Sequence, residues 1–532
     1  IIIRAEGARF STSFLKETID VLLKPEREVR ETVLGHLQRG GNPTVFERTL
    51  ATRMGVKAIE VLEKAHSEPQ LVGLHAKTLK PVSLSKSLTK IKTPSFQEDL
   101  SPNTKSAFHL SRMLENPPGE KLQGTTIALL TDGNNVSGMN MAIRAVARLA
   151  LNRGIAVKGI KGGFQGFTRG LGSTLNLEWS MLEMKSILRR AGTLLGVSSS
   201  GFTMDPKGYE AIAQQVKQLH IDGLIVIGNK AAYHTANKLA PLINLPVVSI
   251  PAGLTCNLPG TDRVIGMDST LNDLLQGIDR AADAAHVKKK IFIITLSGDY
   301  CSCLVRLVAL AGGAEQLIIE ANLSGTGGQN AFRKKVRQSV GELKKMFDMG
   351  KTFGTIVFSP NHPEETENSL QYIKQAIDKA GIALDVTVIP LETSLGGIIP
   401  TAFDRILAKR LGEKAMETLQ KNIDARDCAF QTVGIKGKRI VPSYYEDSEG
   451  KHNGGCSKVL ERDLQLCFDL MAQQKETCIG VGGTVQWGET TNENSWHGKW
   501  TCHKCGYTQQ FLFNPKNMLC VYCEKDTCHN YG

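Results

Sequence analysis

From residue 125 to residue 440, short apolar runs alternate with stretches of helical period, and no other feature of the chain limits its fold as tightly. Thr126-Ile127-Ala128-Leu129-Leu130-Thr131 reads as a strand. A glycine-containing turn follows over 132–140, then a helix with Ile143, Val146, Leu149 and Ala150 on one face. Further strands are expected at 157–160, 223–227, 246–250, 291–296, 317–319, 355–358 and 386–389, most of them separated by helical sequence. This alternation predicts an α/β fold of doubly wound parallel sheets, with a ligand crevice at the carboxyl ends of the strands.

At 532 residues the chain has room for two or more domains with large cores. A net charge of +12 favours anionic partners (sugar phosphates, nucleotides, nucleic acid or an acidic surface), although solubility alone accounts for part of such an excess. No apolar run reaches the roughly 18 residues that suggest a spanning helix, so no membrane span is expected. The amino terminus lacks the basic-then-apolar layout of a signal peptide. The 12 cysteines are mostly scattered, which fits a reducing compartment better than a disulfide framework. Residues 67–124 carry Pro69, Pro81, Pro94, Pro102, Pro117 and Pro118 among many Ser, Lys and Thr, and read as a partly helical linker.

The run Val33-Leu34-Gly35-His36-Leu37-Gln38-Arg39-Gly40-Gly41-Asn42-Pro43-Thr44-Val45-Phe46-Glu47-Arg48 sets a histidine and an arginine three residues apart beside a Gly-Gly turn, ahead of a helix. Imidazole and guanidinium can converge there on phosphate oxygens while glycine lets backbone approach closely. The run resembles the fructose-6-phosphate segment of 6-phosphofructokinases, and Leu50-Ala51-Thr52-Arg53-Met54-Gly55-Val56 continues the likeness. Upstream, Ile1 to Gly7 resembles the family's strand ending in a sugar-contacting glutamate, here Glu6. Arg30 stands six residues before His36, where the family's arginine crosses an interface to a 6-phosphate. The resemblance therefore implies a sugar-phosphate set of Glu6, Arg30, His36 and Arg39. It also implies that residues 1–65 are the end of a first half, 66–124 a connector and 125–440 a second half, in the order of tandem eukaryotic ATP-dependent enzymes. No nucleotide loop precedes His36, so the chain is expected to be a fragment, a processed product or one member of a split enzyme.

The second half repeats the family's landmarks at 221–228, 259–262, 310–315 and 400–405 but not its chemistry. Phosphoryl transfer needs a carboxylate to accept the hydroxyl proton and a metal on the nucleotide phosphates. The family's Gly-Gly-Asp loop reads Gly133-Asn134-Asn135. Its Gly-Gly-Asp-Gly-Ser reads Gly228-Asn229-Lys230-Ala231-Ala232, putting a cation where the magnesium-serving aspartate should be. The catalytic Thr-Ile-Asp-Asn-Asp reads Gly253-Leu254-Thr255-Cys256-Asn257, with Thr255 in place of the base. The family's effector sugar site is also eroded: Ser199 replaces an arginine, and 393–397 lack the histidine. Lys290 and Asn257 are the candidate remnants of that site.

The end of the chain carries a separate signal. Cys502-His503-Lys504-Cys505 and Cys520-Val521-Tyr522-Cys523 are two Cys-x-x-Cys knuckles separated by 14 residues, the pattern of a four-thiolate zinc ribbon over 495–532. Residues 507–513 alternate as a hairpin strand would, and 441–494 read as a loop followed by a docking helix at 460–472. Such a ribbon would hold structural zinc and meet protein or nucleic acid.

The expected function is part of a cytoplasmic, oligomeric ATP-dependent 6-phosphofructokinase acting on fructose 6-phosphate in glycolysis. Mg-ATP would bind only in a complete enzyme that includes an upstream half or another phosphofructokinase chain. The alternatives are a catalytically inactive structural or regulatory subunit assembled through the ribbon, and a ribbon-directed nucleic-acid binder.

Overall fold

A computed structural model describes residues 4, 8–23, 28–35, 41–64, 68–75, 78–88, 124–178, 185–199, 202–255, 258–296, 302–320, 328–360, 366–391, 398–437, 439–445, 483–488, 496–502 and 508–513. The chain divides into two compact units, Ile1–Phe468 and Asp469–Gly532.

The first unit holds a seven-stranded and a four-stranded sheet. The larger takes the order β13-β12-β7-β6-β3-β4-β5, from β3 (Thr126–Asp132), β4 (Ala156–Ile160), β5 (Thr174–Asn176), β6 (Gly223–Gly228), β7 (Val247–Pro251), β12 (Phe430–Lys436) and β13 (Arg439–Tyr444). Its five central strands run parallel, with β5 and β13 antiparallel at the edges. β3 pairs with β4 on one side and β6 on the other, so the direction of winding reverses there. A crevice opens at such a switch point, outside the carboxyl ends of the two strands. β6 is buried throughout, and β3 at every residue after Thr126, because helices cover both faces.

The smaller sheet is all parallel, β11-β8-β10-β9, from β8 (Ile291–Thr295), β9 (Gln316–Ile319), β10 (Gly354–Ser359) and β11 (Val386–Pro390). Two long helices join the sheets: Met267–Lys288 leads to β8, and Ala402–Ala425 returns to β12. The returning helix crosses Met139–Asn152 closely. A Cβ at Gly412 would stand 2.9 Å from the Cβ of Ala145 and 3.1 Å from the carbonyl oxygen of Ala142. Helix Met139–Asn152 is consequently buried from Met139 to Ala150, well beyond the single face expected from the sequence.

Ahead of this body lie α1 (Thr12–Leu23) and α2 (Val45–Leu62). Part of the segment expected to be a partly helical linker instead forms an antiparallel hairpin, β1 (Gln70–His75) with β2 (Thr78–Ser83), followed by α3 (Leu84–Leu88). Pro81 pairs with Val72 in this two-stranded ribbon, where both strands are edges and a missing amide is tolerated.

In chain order the remaining helices are α4 (Met139–Asn152), α5 (Gly163–Thr168), α6 (Lys185–Arg189), α7 (Pro206–Gln218), α8 (Lys230–Ile243), α9 (Met267–Lys288), α10 (Ser302–Ala311), α11 (Gly328–Asp348), α12 (Thr366–Lys379) and α13 (Ala402–Ala425). The second unit contributes a three-stranded antiparallel sheet, β14 (Gly483–Gly488), β15 (Trp496–Cys502) and β16 (Thr508–Phe513), with β15 central. The docking helix expected at 460–472 lies outside the described residues. No helix among the described residues is long and apolar enough to cross a membrane.

Candidate functional site: a phosphate cradle closed by asparagine

Three segments converge at the switch point: the turn after β3, the start of α8 after β6, and the extension of β7 through Ala252 and Gly253. Asn229 joins them. Its side-chain oxygen accepts from the amides of Ala231 (3.1 Å) and Ala232 (3.2 Å), capping α8. Its Nδ2 donates to Oδ1 of Asn134 at 3.0 Å. A Cβ added at Gly133 would fall 2.3 Å from the Asn229 Oδ1, and one at Gly253 would fall 3.3 Å from the Asn229 Cβ. The helix amino terminus, a natural anion site, thus spends two of its amides on its own cap. An incoming phosphate would have to displace a satisfied amide side chain.

Asp132, which the sequence reading passed over, fastens the opposite wall. It is buried, and its Oδ1 accepts from the amides of Gly133 (2.9 Å) and Ser198 (3.0 Å). Its bond to Gly133 is the local turn of an aspartate before glycine, a pattern visible in sequence. Ser198 in turn accepts from the Gln165 amide at 3.1 Å. Asn135 and Asn140 hold the next loop through the amides of Thr193 (2.9 Å) and Leu194 (2.6 Å). Ser199, in place of the expected arginine, is exposed and donates to Gln165 Oε1 from both its amide (3.1 Å) and its hydroxyl (2.7 Å). Thr255 is half-buried just beyond Gly253. Asp132, Asn135, Asn140, Ser198 and Asn229 each bond within or between these loops.

Mg-ATP fits this crevice poorly. The Asn229 amide fills the space between the loops, and Lys230 follows it as a cation. Among the described residues no cluster of His, Cys, Asp or Glu is arranged to hold a metal ion.

Of the sugar-phosphate set, Arg30 is described and is 80 % exposed. Its guanidinium pairs with Glu28 through two contacts of 3.0 Å. Glu6, His36 and Arg39 lie outside the described residues, as does Asn257. Lys290 is described. It immediately precedes β8, at the amino end of a parallel strand, and its Nζ stands 3.1 Å from Oδ2 of Asp385, which immediately precedes β11. The carboxyl ends of the strands, where a parallel sheet opens its crevice, lie at the other end.

Arg48 ties α2 to α9 and to the end of α10. Its guanidinium grips Asp279 with contacts of 2.9 and 2.8 Å and donates to the carbonyl of Ala311 at 3.2 Å. Val45, 2 % exposed, enters the apolar cluster of α9, α10 and the smaller sheet, and its amide donates to Asn272 Oδ1 at 3.1 Å. A reciprocal cap between Thr44 and Glu47 starts α2. The Thr44 amide and hydroxyl hold the Glu47 carboxyl below its ordinary range. The helix that follows the His36 motif is therefore seated on α9 and α10.

In the second unit, Cys502 is the last residue of β15, and 503–507 connect to β16. Cys505, Cys520 and Cys523 lie outside the described residues.

Parallel sheets covered by helices, with a switch-point crevice, define a doubly wound α/β fold. The chain belongs to the phosphofructokinase family, whose profile matches residues 1–62 and 126–419. It is 32 % identical over 324 residues to the ATP-dependent 6-phosphofructokinase of Natranaerobius thermophilus, covering 60 % of this chain and 92 % of that protein. It is 28 % identical over 463 residues to the Schistosoma mansoni enzyme, covering 80 % of this chain and 57 % of that one. It is 29 % identical over 449 residues to the human muscle-type enzyme, covering 80 % of this chain and 56 % of that one. The chain thus spans just over half the length of these animal relatives. Among solved structures, the Pichia pastoris phosphofructokinase in the T-state matches with a TM-score of 0.70 at 20 % identity, over 86 % of this chain and 55 % of that one.

Proposed function

We propose that the chain is the carboxyl-terminal part of an ATP-dependent 6-phosphofructokinase. In this reading residues 1–65 bring Glu6, Arg30, His36 and Arg39 to a fructose 6-phosphate site, and residues 125–440 form a half that no longer catalyses. The single observation that carries it is the seat of α2 on α9 and α10, through Val45 and the Arg48–Asp279 pair. That seat ties the segment after the sugar motif to the second half, as expected at a junction of halves. The apolar surface on residues 10–88 suits an upstream half or another phosphofructokinase chain. Val21, Leu22, Val33 and Leu62 are each at least 75 % exposed. Burying one such side chain is worth about 1.5–3 kcal/mol, so a covered state is favoured. Mg-ATP would then be held by that partner, in the cytoplasm and within an oligomer.

Asparagine closure of the cradle favours a second reading, a catalytically inactive subunit that assembles or regulates. The two readings part on one experiment. The purified chain, assayed with magnesium, ATP and fructose 6-phosphate, should turn over at background. Reassembled with a phosphofructokinase first half, it should bind fructose 6-phosphate, and Arg39→Ala should weaken that binding about tenfold to a hundredfold. Undiminished binding by Arg39→Ala would leave the inactive-subunit reading standing. Steady turnover by the chain alone, abolished in Thr255→Ala, would overturn both.

The end of the chain fits a zinc ribbon as an added assembly module, meeting protein or nucleic acid. Support comes from the two knuckles together with the backbone of β14–β16, where the first knuckle begins at the end of β15 and enters the hairpin connection. Cys502, Cys505, Cys520 and Cys523 would hold zinc, which supplies structure and no chemistry there.

A further inference from the structure

We propose that a groove between α11 and α12, on the smaller sheet, is a binding site for a compact polyphosphate anion. It is a half-open groove of about 500 Å³, lined by Arg333, Arg337 and Gly341 of α11 and by Tyr372, Ala376 and Lys379 of α12. That volume lies within the roughly 300–1,000 Å³ of small-molecule sites. None of these residues belongs to the crevice at β3 and β6, which is built on the other sheet.

Three features select the ligand. The first is charge: the lining residues include three cations and no carboxylate, and no acidic partner is recorded for Arg333, Arg337 or Lys379 among the described residues. The second is preorganisation. Arg333 stands over the Tyr372 ring, its guanidinium carbon 5.5 Å from the centroid. Arg337 Nε donates to the Tyr372 hydroxyl at 3.3 Å. One neutral side chain thus steadies both guanidinia without neutralising either, which lowers the entropy lost on binding. The third is spacing. Positions 333, 337 and 341 follow one row of the helix, with the two arginines about 6 Å apart along its axis. Two guanidinium forks one turn apart, with an ammonium opposite, suit successive phosphates of one ligand better than a single carboxylate. Gly341 continues the row without a side chain, and a Cβ there would meet nothing within 4 Å. Its bareness leaves the groove open.

Calorimetry of the full chain with inorganic tripolyphosphate, at near-physiological salt, tests the site. One saturable equivalent is expected. Arg337→Ala should weaken it about tenfold to a hundredfold, and Arg337→Lys by less, since charge survives without the fork. Gly341→Met, which fills the groove without changing charge, should also weaken it without lowering the melting temperature, since methionine favours a helix interior over glycine. A hexaglutamate peptide of similar charge should bind far more weakly. Absence of saturable binding would overturn the site. So would binding that Arg337→Ala and Gly341→Met leave intact, or a peptide that binds as tightly as tripolyphosphate.

Discussion

Replacing Asp404 with asparagine should flatten the pH dependence of this protein's stability. Asp404 sits in the first turn of α13 and is fully buried against the start of α9. Its Oδ2 accepts from the Ser269 amide at 2.8 Å and the Ser269 hydroxyl at 2.6 Å. Burial raises its pKa, the two Ser269 bonds oppose the rise, and nearby Asp268 adds to it. The result is a shift from the ordinary 3.8 to about 6. The folded state therefore holds the proton more tightly than the unfolded chain. Its stabilising contribution is fully present below about pH 3.8 and is lost as pH rises through about 6. The whole displacement corresponds to roughly 3 kcal/mol, of which about 2 kcal/mol falls between pH 4.5 and 8. Urea unfolding of the parent and of Asp404→Asn at those two pH values should differ by that amount in their pH dependence. Any constant offset from the new amide cancels in the comparison. If both proteins change stability in parallel, to within about 0.5 kcal/mol, the carboxyl is not the buried, proton-retaining group described here.

Two further outcomes follow from the contacts. Arg48→Ala should lose the paired contact with Asp279 and the bond to Ala311, loosening α2 by about 1–2 kcal/mol. Amide exchange across 45–62 should rise accordingly, whereas Arg30→Ala, which removes only an exposed pair with Glu28, should leave it unchanged. If the ribbon holds zinc, metal analysis should find one zinc per chain, lost in the double variant Cys502→Ser, Cys505→Ser. Full occupancy in that variant would exclude these ligands.

The alternation of apolar strands with helical stretches carried the central fold, because a parallel strand buried on both faces must be written as an apolar run whatever surrounds it. All eight expected strands between 126 and 389 recur in the structure. The strands at 430–436 and 439–444 went unread, since Gln431, Thr432 and Ser443 interrupt their apolar pattern and only pairing with β7 fixes the first of them in the sheet. The hairpin at 70–83 was hidden likewise by Pro81 and Lys80, for edge strands tolerate residues that central strands reject.

Residue types alone mark Lys230 and Thr255 as departures from the aspartates that the family resemblance leads one to expect. Which bonds these loops make is decided by tertiary structure. Asn229 and Asn134 are 95 positions apart, and only the switch in strand order brings them within a hydrogen bond. The same holds for Lys290, whose pairing with Asp385 follows from the adjacency of β8 and β11. It holds again for Arg48, ordinary in sequence and 231 residues from Asp279. Residue type records which chemistry a chain can offer, but the distances that select among those chemistries exist only after the chain has closed on itself.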